Sequence, residues 1–435
     1  VRFDSLVTVV HQSTDQNLTD RTGTATTDAV PLGAPVSRSV RRWAILALAL
    51  GGFGIGTTEF VAMGLLPDIA SSLGVSEPSA GHVISAYALG VVVGAPVIAA
   101  LTARMSRRRL LVGLMVAFTV GNLASVLAPD QTTLMIARFV SGLPHGAFFG
   151  VAALVASHLA GPGSRAKAVG QVMLGLSVAN VVGVPVATWL GEHLGWRSAF
   201  ALVVVIGLAT LVALLRFLPT LGSMTVTNPL TELGALRRPQ VLFTVLIGIV
   251  GFGGMFAFYT YIHTTLTDVS GLPGGLVPIA LMLFGLGMVA GNIVGGALAD
   301  RSVTLTLAVG LAAIAGVLLA FAAFAGTVWV AVPLVFAVGV TGSALVPALQ
   351  TRLMDTAEDA QTLAAALNHS ALNVANAAGA WLGGVVIGAG LGYRAPSVLG
   401  AGLAIAGLVV LVAATVAARR RAVVASRRGR VGAAA

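Results

Sequence analysis

The chain has 435 residues, 57% of them hydrophobic and only 9% charged, with a formal net charge of +10 and no cysteine. A soluble domain carries about a quarter charged residues, so the water-soluble globular class is excluded, and the missing thiols exclude disulfide frameworks, iron–sulfur clusters and thiolate metal sites. The basic residues sit in short loops and tails between apolar runs, not on a patch with interleaved aromatics, which argues against nucleic-acid binding.

Residues 1–36 are polar, rich in Ser, Thr and Asp, and without period; they read as a disordered cytoplasmic tail. The first apolar run is too long for a signal-peptide core and lacks a small-residue cleavage pattern, so it is expected to stay in the membrane. From there, runs of about 20 apolar residues, each matching a hydrocarbon layer about 30 Å thick, fall near 43–66, 81–103, 110–128, 132–157, 168–190 and 198–218. Six more fall near 241–262, 275–298, 304–323, 329–353, 363–388 and 395–418. The expected fold is an all-α membrane protein of twelve transmembrane helices in two six-helix bundles, 37–218 and 241–418. A Pro-punctuated central loop at 219–240 joins them and a basic tail at 419–435 follows.

Orientation follows from the loop cations. Arg38, Arg41, Arg42, Arg104, Arg107 to Arg109, Arg165, Lys167, Arg216, Arg237, Arg238, Arg301, Arg352 and the tail arginines fall on one side, and Arg197 and Arg394 on the other. Both termini and the central loop are therefore expected in the cytoplasm, in a multi-pass protein of the plasma membrane. The terminal arginines are expected to anchor the last helix against anionic headgroups.

The two halves repeat. Gly52-Phe53-Gly54 recurs as Gly251-Phe252-Gly253, 199 positions on; Leu89-Gly90 with Gly94 recurs as Leu286-Gly287 with Gly291, 197 on; Val178-Ala179-Asn180 recurs as Val374-Ala375-Asn376, 196 on; and Gly195-Trp196-Arg197 recurs as Gly392-Tyr393-Arg394, 197 on. A near-constant offset over five spans points to duplication of a six-helix unit. Parallel repeats of this kind place a substrate near the midplane between the halves, reached by rocking one half against the other. The fifth span carries Gly175, Ala179, Gly183, Ala187 and Gly191 at four-residue spacing, and the eighth Gly287, Gly291, Gly295 and Ala299. Small residues on one face let two backbones approach; these faces either pack tightly or also slide during rocking.

Several segments carry a family likeness. Gly296-Ala297-Leu298-Ala299-Asp300-Arg301 resembles the loop motif G-x-L-A-D-R of the major facilitator superfamily. Its first-half counterpart ends Ala103-Arg104, with alanine where the family has the aspartate of a cytoplasmic charge latch. The resemblance assigns Arg104, Asp300 and Arg301 to conformational switching, and Asp300 could serve the second half alone. Arg138 through Ser141-Gly142-Leu143-Pro144-His145-Gly146-Ala147 resembles the fourth-span motif of proton-linked drug exporters, and Gly183 with Pro185 a variant of their antiporter motif, departing by the intervening Val184. The 81–99 run, Pro144 to Gly150, and Leu286-Gly287-Met288 with Gly291-Asn292 resemble the arabinose efflux permease group, over roughly residues 43–415. That group exports sugars, amphenicol-type antibiotics and other small molecules.

Ionisable groups deep in a span are costly and functional by default. Two stand out: Glu59, eight residues before Pro67, and Arg138, nine after Pro129, at similar depth in the outer half of the first and fourth spans. Glu59 is expected to bind the coupling proton as the crevice opens and closes, with Arg138 as its partner; a structural pair and direct contact with substrate are the competing readings. His145, two turns beyond Arg138, extends a relay, binds substrate or is simply hydrogen-bonded in the bundle. Tyr87, Phe148, Phe256, Tyr259 and Asn373 are expected in the substrate cavity, although the aromatics of the seventh span also fit an interfacial belt. His369, Asn373 and Asn376 form a polar stripe for which interhelical hydrogen bonds are the favoured reading, and His82 and His263 fall at outer helix ends where interfacial water would solvate them.

The reading is a secondary active transporter that exports a small organic molecule, antibiotic or sugar-like, against proton entry. The expected partners are that substrate, protons and the bilayer, with the protein a monomer and no cofactor or metal. An uncoupled facilitator or an importer is the alternative. A membrane enzyme lacks a Ser–His–Asp set or an intramembrane metal cluster, a channel lacks a pore-lining charge ring, and an ATP-driven pump lacks a Walker A loop.

Overall fold

The computed structural model describes residues 37–102, 105–160, 165–219, 237–357 and 361–432. Among these residues, twelve helices are long and apolar enough to cross a membrane. They are α1 (Arg38–Gly64), α2 (His82–Thr102), α3 (Arg107–Leu127), α4 (Gln131–Ala160), α5 (Ala168–Leu194) and α6 (Trp196–Phe217), then α7 (Pro239–Thr260), α8 (Val277–Ala299), α9 (Val303–Phe324), α10 (Val328–Ala357), α11 (Leu367–Leu391) and α12 (Ala395–Gly432). In hydrocarbon each backbone polar group must find its partner inside the protein, which is why apolar runs of this length become helices. Residues 1–36, most of the 219–240 loop and Arg104 lie outside the described residues.

Local chemistry sets the helix ends. The Ser37 side chain accepts from the Val40 N–H and starts α1, five residues before the predicted span. Pro67 sits in the first turn of a short helix, Leu66–Leu73, where a missing N–H costs nothing. Within α5 the backbone widens into a π turn at Ala179–Gly183, just before Pro185, whose ring removes one intrahelical bond. α10 is divided at Ala344, three residues before Pro347. The segment read as a basic tail after 418 instead continues α12 to Gly432, because nothing in its sequence ends the helix.

The duplication visible in the sequence is also a repeat of contacts. A Cβ on Gly90 would strike the Phe139 carbonyl, and one on Gly287 the Phe336 carbonyl; Gly94 with Leu143 repeats as Gly291 with Val340. Both members of each pair are displaced by 197 positions. α2 thus lies on α4 as α8 lies on α10, backbone against backbone. The turns before α6 and α12 use Gly195 (φ 86°) and Gly392 (φ 76°), a left-handed geometry that favours glycine. The stripe on α5 faces α1 of its own half, Gly175 against Ala49 and Gly183 against Thr57. The stripe on α8 faces α10, so both stripes are packing seams inside a half and not sliding surfaces between halves.

Between the halves, α2 packs on α11 and α5 on α8. Gly285 of α8 lies against the Asn180 carbonyl of α5, and the Ser85 hydroxyl of α2 donates to the Ala377 carbonyl of α11 at 2.9 Å. One apolar core contains residues of both halves, including Phe60, Leu65, Ile69, Phe256, Tyr259 and Leu281. Its first-half members lie where α1 gives way to the 65–81 segment, the outer end by the loop-charge expectation, while its second-half members run on through that half to Ala299 and Leu349. At the opposite end a separate core, with Leu48, Leu111 and Phe148, belongs to the first half alone. The halves therefore share an apolar core at the end marked by the 65–81 segment.

Candidate functional site

The site is built on a polar triplet in α1. Thr57, Thr58 and Glu59 interrupt an otherwise apolar helix and are all buried, Glu59 at 7% exposure. Arg138 of α4 is 0% exposed. Its guanidinium donates from Nη1 to the Thr58 hydroxyl at 2.8 Å and from Nη2 to the Thr58 carbonyl at 2.9 Å. The Thr58 hydroxyl donates in turn to Asn122 Oδ1 of α3 at 2.6 Å. A charge this deep needs hydrogen bonds on its own protons; α1 supplies two through Thr58, which Asn122 of α3 holds in place, and Arg138 Nε has no partner among the described residues.

Glu59 is the electrostatic neighbour of Arg138 but makes no ion pair or hydrogen bond among the described residues. The cation is instead sandwiched, its central carbon 4.2 Å from the Tyr87 ring and 5.3 Å from that of Phe200. Tyr87 extends the chain of contacts, its hydroxyl 3.0 Å from His145 Nδ1. The His145 ring lies 5.4 Å from Phe149, and Phe149 stacks on His369 of α11 at 6.0 Å with the planes 1° apart. Glu59, Arg138, Tyr87 and His145 thus form one continuous set that reaches the opposite half at His369, which is partly exposed.

The predicted cavity residues separate. Phe256 and Tyr259 of α7 meet Phe60 of α1, at 6.5 Å and 5.9 Å between centroids, and Tyr259 stacks on Phe284 at 4.1 Å. They form a buried aromatic cluster that joins α1 to α7 and α8 across the halves, not an interfacial belt. Phe148 does not line the crevice. It is 0% exposed and fills the space over Gly51 inside the first half. Consecutive helical residues point about 100° apart, so Phe149, not Phe148, reaches the other half.

Asn373 donates to the His369 carbonyl at 3.0 Å within its own helix, while its Oδ1 and both polar atoms of Asn376 are buried without a partner among the described residues. The interhelical hydrogen bonds expected for this stripe are not formed. Asp300 and Arg301 lie exposed at the turn after α8, Gly183 ends the π turn and Pro185 opens the next helical segment. Thr58, Asn122, Phe60 and Phe149 were missed by sequence reasoning. The Thr57-Thr58-Glu59 triplet was the available signal for the first.

Residues 48–371 match the family model of the Major Facilitator Superfamily. The chain belongs to the major facilitator superfamily. It is 44% identical over 368 residues to the inner membrane transport protein YdhP of Escherichia coli (strain K12), covering 85% of this chain and 94% of that one. It is 36% identical over 386 residues to a chloramphenicol resistance protein of Streptomyces lividans, covering 87% and 96%. Among solved structures it resembles a bacterial homologue of the human lysosomal transporter Spinster in an inward-facing, unoccupied conformation, with a TM-score of 0.64 at 16% identity over 87% of this chain and 96% of that chain. This major facilitator protein is a membrane transporter of small molecules and not an enzyme.

Proposed function

We propose that this transporter resides in the inner (plasma) membrane with both termini in the cytoplasm, and exports a small neutral organic molecule, an amphenicol-type antibiotic or a sugar-like compound, against proton entry. The observation that carries the reading is the isolation of Glu59. Its cationic neighbour is committed to Thr58, so the carboxyl is not locked in a structural pair and is free to exchange a proton when the halves move. Phe60, the next residue toward the 65–81 segment, is held across the halves by Phe256 and Tyr259, so parting of that aromatic cluster would accompany any opening on this side. One charge moving through 100 mV supplies about 2.3 kcal/mol.

The substrate would lie between Phe149, His145 and the α11 face that carries His369, Asn373 and Asn376. Neutral imidazoles and unpaired amides suit a ligand with hydroxyl or amide groups, and Phe149 gives it a stacking surface. The relative named for chloramphenicol resistance makes chloramphenicol the first probe. In proteoliposomes, chloramphenicol is expected to release protons from the wild-type protein, and Glu59→Gln to abolish that release while retaining binding. Undiminished release by Glu59→Gln would overturn coupling at this residue, and efflux indifferent to a protonophore would leave a facilitator.

A further inference from the structure

The outer face holds a second set of ionisable groups, separate from Glu59 and drawn from both halves. His263, in the short helix Ile262–Thr264 that follows α7, points at Glu192 near the end of α5, with Nε2 3.6 Å from Oε1. Both side chains are 13% exposed, so the interfacial solvation expected for His263 is not what surrounds it. Glu192 Oε1 and His263 Nδ1 are buried and lack a hydrogen-bond partner among the described residues. Asp68, in the Leu66–Leu73 helix, is the next carboxylate to feel both.

The remaining charges around this set are also on the page. Glu77 is held by the second half, accepting from the Thr264 hydroxyl at 2.7 Å and from Tyr393. Burial, with Glu77 beside it, pushes the Tyr393 hydroxyl up to about 12, so it serves as a donor. Asp268 is exposed and accepts from the Thr267 hydroxyl. Tyr261 donates to the Ala380 carbonyl, and His193 turns back to the Trp189 carbonyl. The cation on the same side of the first half, Arg197, is occupied by the Ala128 carbonyl and the Trp196 ring. The corresponding cation of the second half, Arg394, donates to the Ala322 carbonyl at 3.5 Å, so among the described residues no ion pair other than that with Glu192 engages His263.

We propose that His263, Glu192 and Asp68 form a proton-binding site at the outer mouth, in which a proton taken up by the imidazole from the outer side ties the two halves together and its loss lets them part. The chemistry is an ion pair made and unmade by one proton. A neutral imidazole at 3.6 Å holds the Glu192 carboxylate weakly, while an imidazolium there makes a charge-assisted contact with Glu192 and is attracted by Asp68 beyond it. Histidine is the side chain whose charge ordinarily changes between about pH 5 and pH 8. A cavity of about 340 Å³, lined by Asp68, Ser71, Ser72, Leu194, Trp196 and Arg197 among others, brings the outer side to Asp68. Burial holds the Asp68 carboxyl above the usual aspartate range, with His263 pulling it down and Glu192 pushing it up, so the three groups feel one another. Protonation from outside would favour the return of an emptied exporter to its outer-closed form. The proposal rests on the alternating-access reading but not on Glu59 as the coupling acid.

The cysteine-free chain allows a direct test. Ser71→Cys in the first half and Thr327→Cys in the second, both at exposed positions, carry spin labels across the mouth of the full protein in nanodiscs. Electron–electron distances are read at about pH 8 and about pH 5, the range over which a histidine changes charge. The ratio of mouth-shut to mouth-open distances is expected to rise roughly fivefold or more on acidification, the lower end of ordinary coupling between sites. His263→Gln should remove the response, His263→Arg should keep the mouth shut at both values, and Glu192→Gln should weaken it, each checked for monodispersity. Glu59→Gln should leave it in place. A response that survives both His263→Gln and Glu192→Gln, or no response in the labelled parent, overturns the latch. A response lost only in Glu59→Gln assigns it to the coupling acid, and so separates failure of this proposal from failure of the transport reading.

Discussion

The Arg138 guanidinium donates to the hydroxyl and to the carbonyl of Thr58, one residue short of Glu59. The geometry fixes the cation beside the carboxyl without neutralising it. Thr58→Val removes the hydroxyl, strands one buried N–H of Arg138 and unseats Asn122, at a cost of about 1–3 kcal/mol. The freed guanidinium can then turn to Glu59. The expected outcome is a lower thermal midpoint together with loss of substrate-induced proton release, whereas Thr58→Ser restores both. Thermal denaturation and proton release in proteoliposomes check it.

The aromatic cluster predicts a gating phenotype. Phe60 makes two ring contacts across the halves, each contributing about 0.5–1.5 kcal/mol beyond simple burial. Phe60→Ala removes both and should lower the ratio of outer-closed to outer-open protein by about five- to a hundredfold. Labelling of Thr260→Cys by an impermeant thiol reagent from the outer side should accelerate accordingly, and unchanged labelling would count against a gating role for the cluster.

Two adjacent phenylalanines should fail in different ways. Phe148→Ala empties a site in the core of the first half, worth about 3–5 kcal/mol, and should appear as lost folding yield and thermal stability. Phe149→Ala removes the surface that stacks on His369 and should raise the half-saturating substrate concentration about tenfold, equivalent to about 1.4 kcal/mol, with stability far less affected. Transport kinetics and melting curves on the two variants separate the roles.

A pH effect is expected at the start of α4. Asp130 accepts from the Thr133 N–H at 2.9 Å and from its hydroxyl at 3.0 Å, and these bonds hold the Asp130 carboxyl below the usual aspartate range. A depressed acid stabilises the fold above its ordinary range, and that contribution is lost as pH falls through the folded-state value. Asp130→Ala should therefore lower the thermal midpoint at about pH 7, and the difference from the parent should shrink as the pH falls below the ordinary aspartate range.

The parts legible in the sequence were those with a period or a costly residue type. Apolar runs gave the twelve helices, a constant offset gave the paired halves, and Glu59 and Arg138 were conspicuous because ions in hydrocarbon need a reason. What escaped depended on partners distant in sequence. Nothing in one span announces that Thr58 will hold a residue 80 positions away, or that His263 will meet Glu192 instead of water. Phe148 and Phe149 are alike as letters, and only the rotation of α4 against its neighbours tells them apart. The helical continuation past 418 was hidden by its charge, which reads as a tail although arginine is a good helix former.

The approaches of Gly90 to Phe139 and of Gly287 to Phe336 are set by main-chain carbonyls. Dimensions fixed in that way do not depend on which side chains decorate the rest of each helix. The crevice wall is therefore free to drift, residue by residue, while the skeleton around it keeps its spacing. If Phe149 and Asn376 meet the cargo as proposed, a lineage on this scaffold can change that cargo by substitution there while the α2–α4 and α8–α10 seams stay as they are.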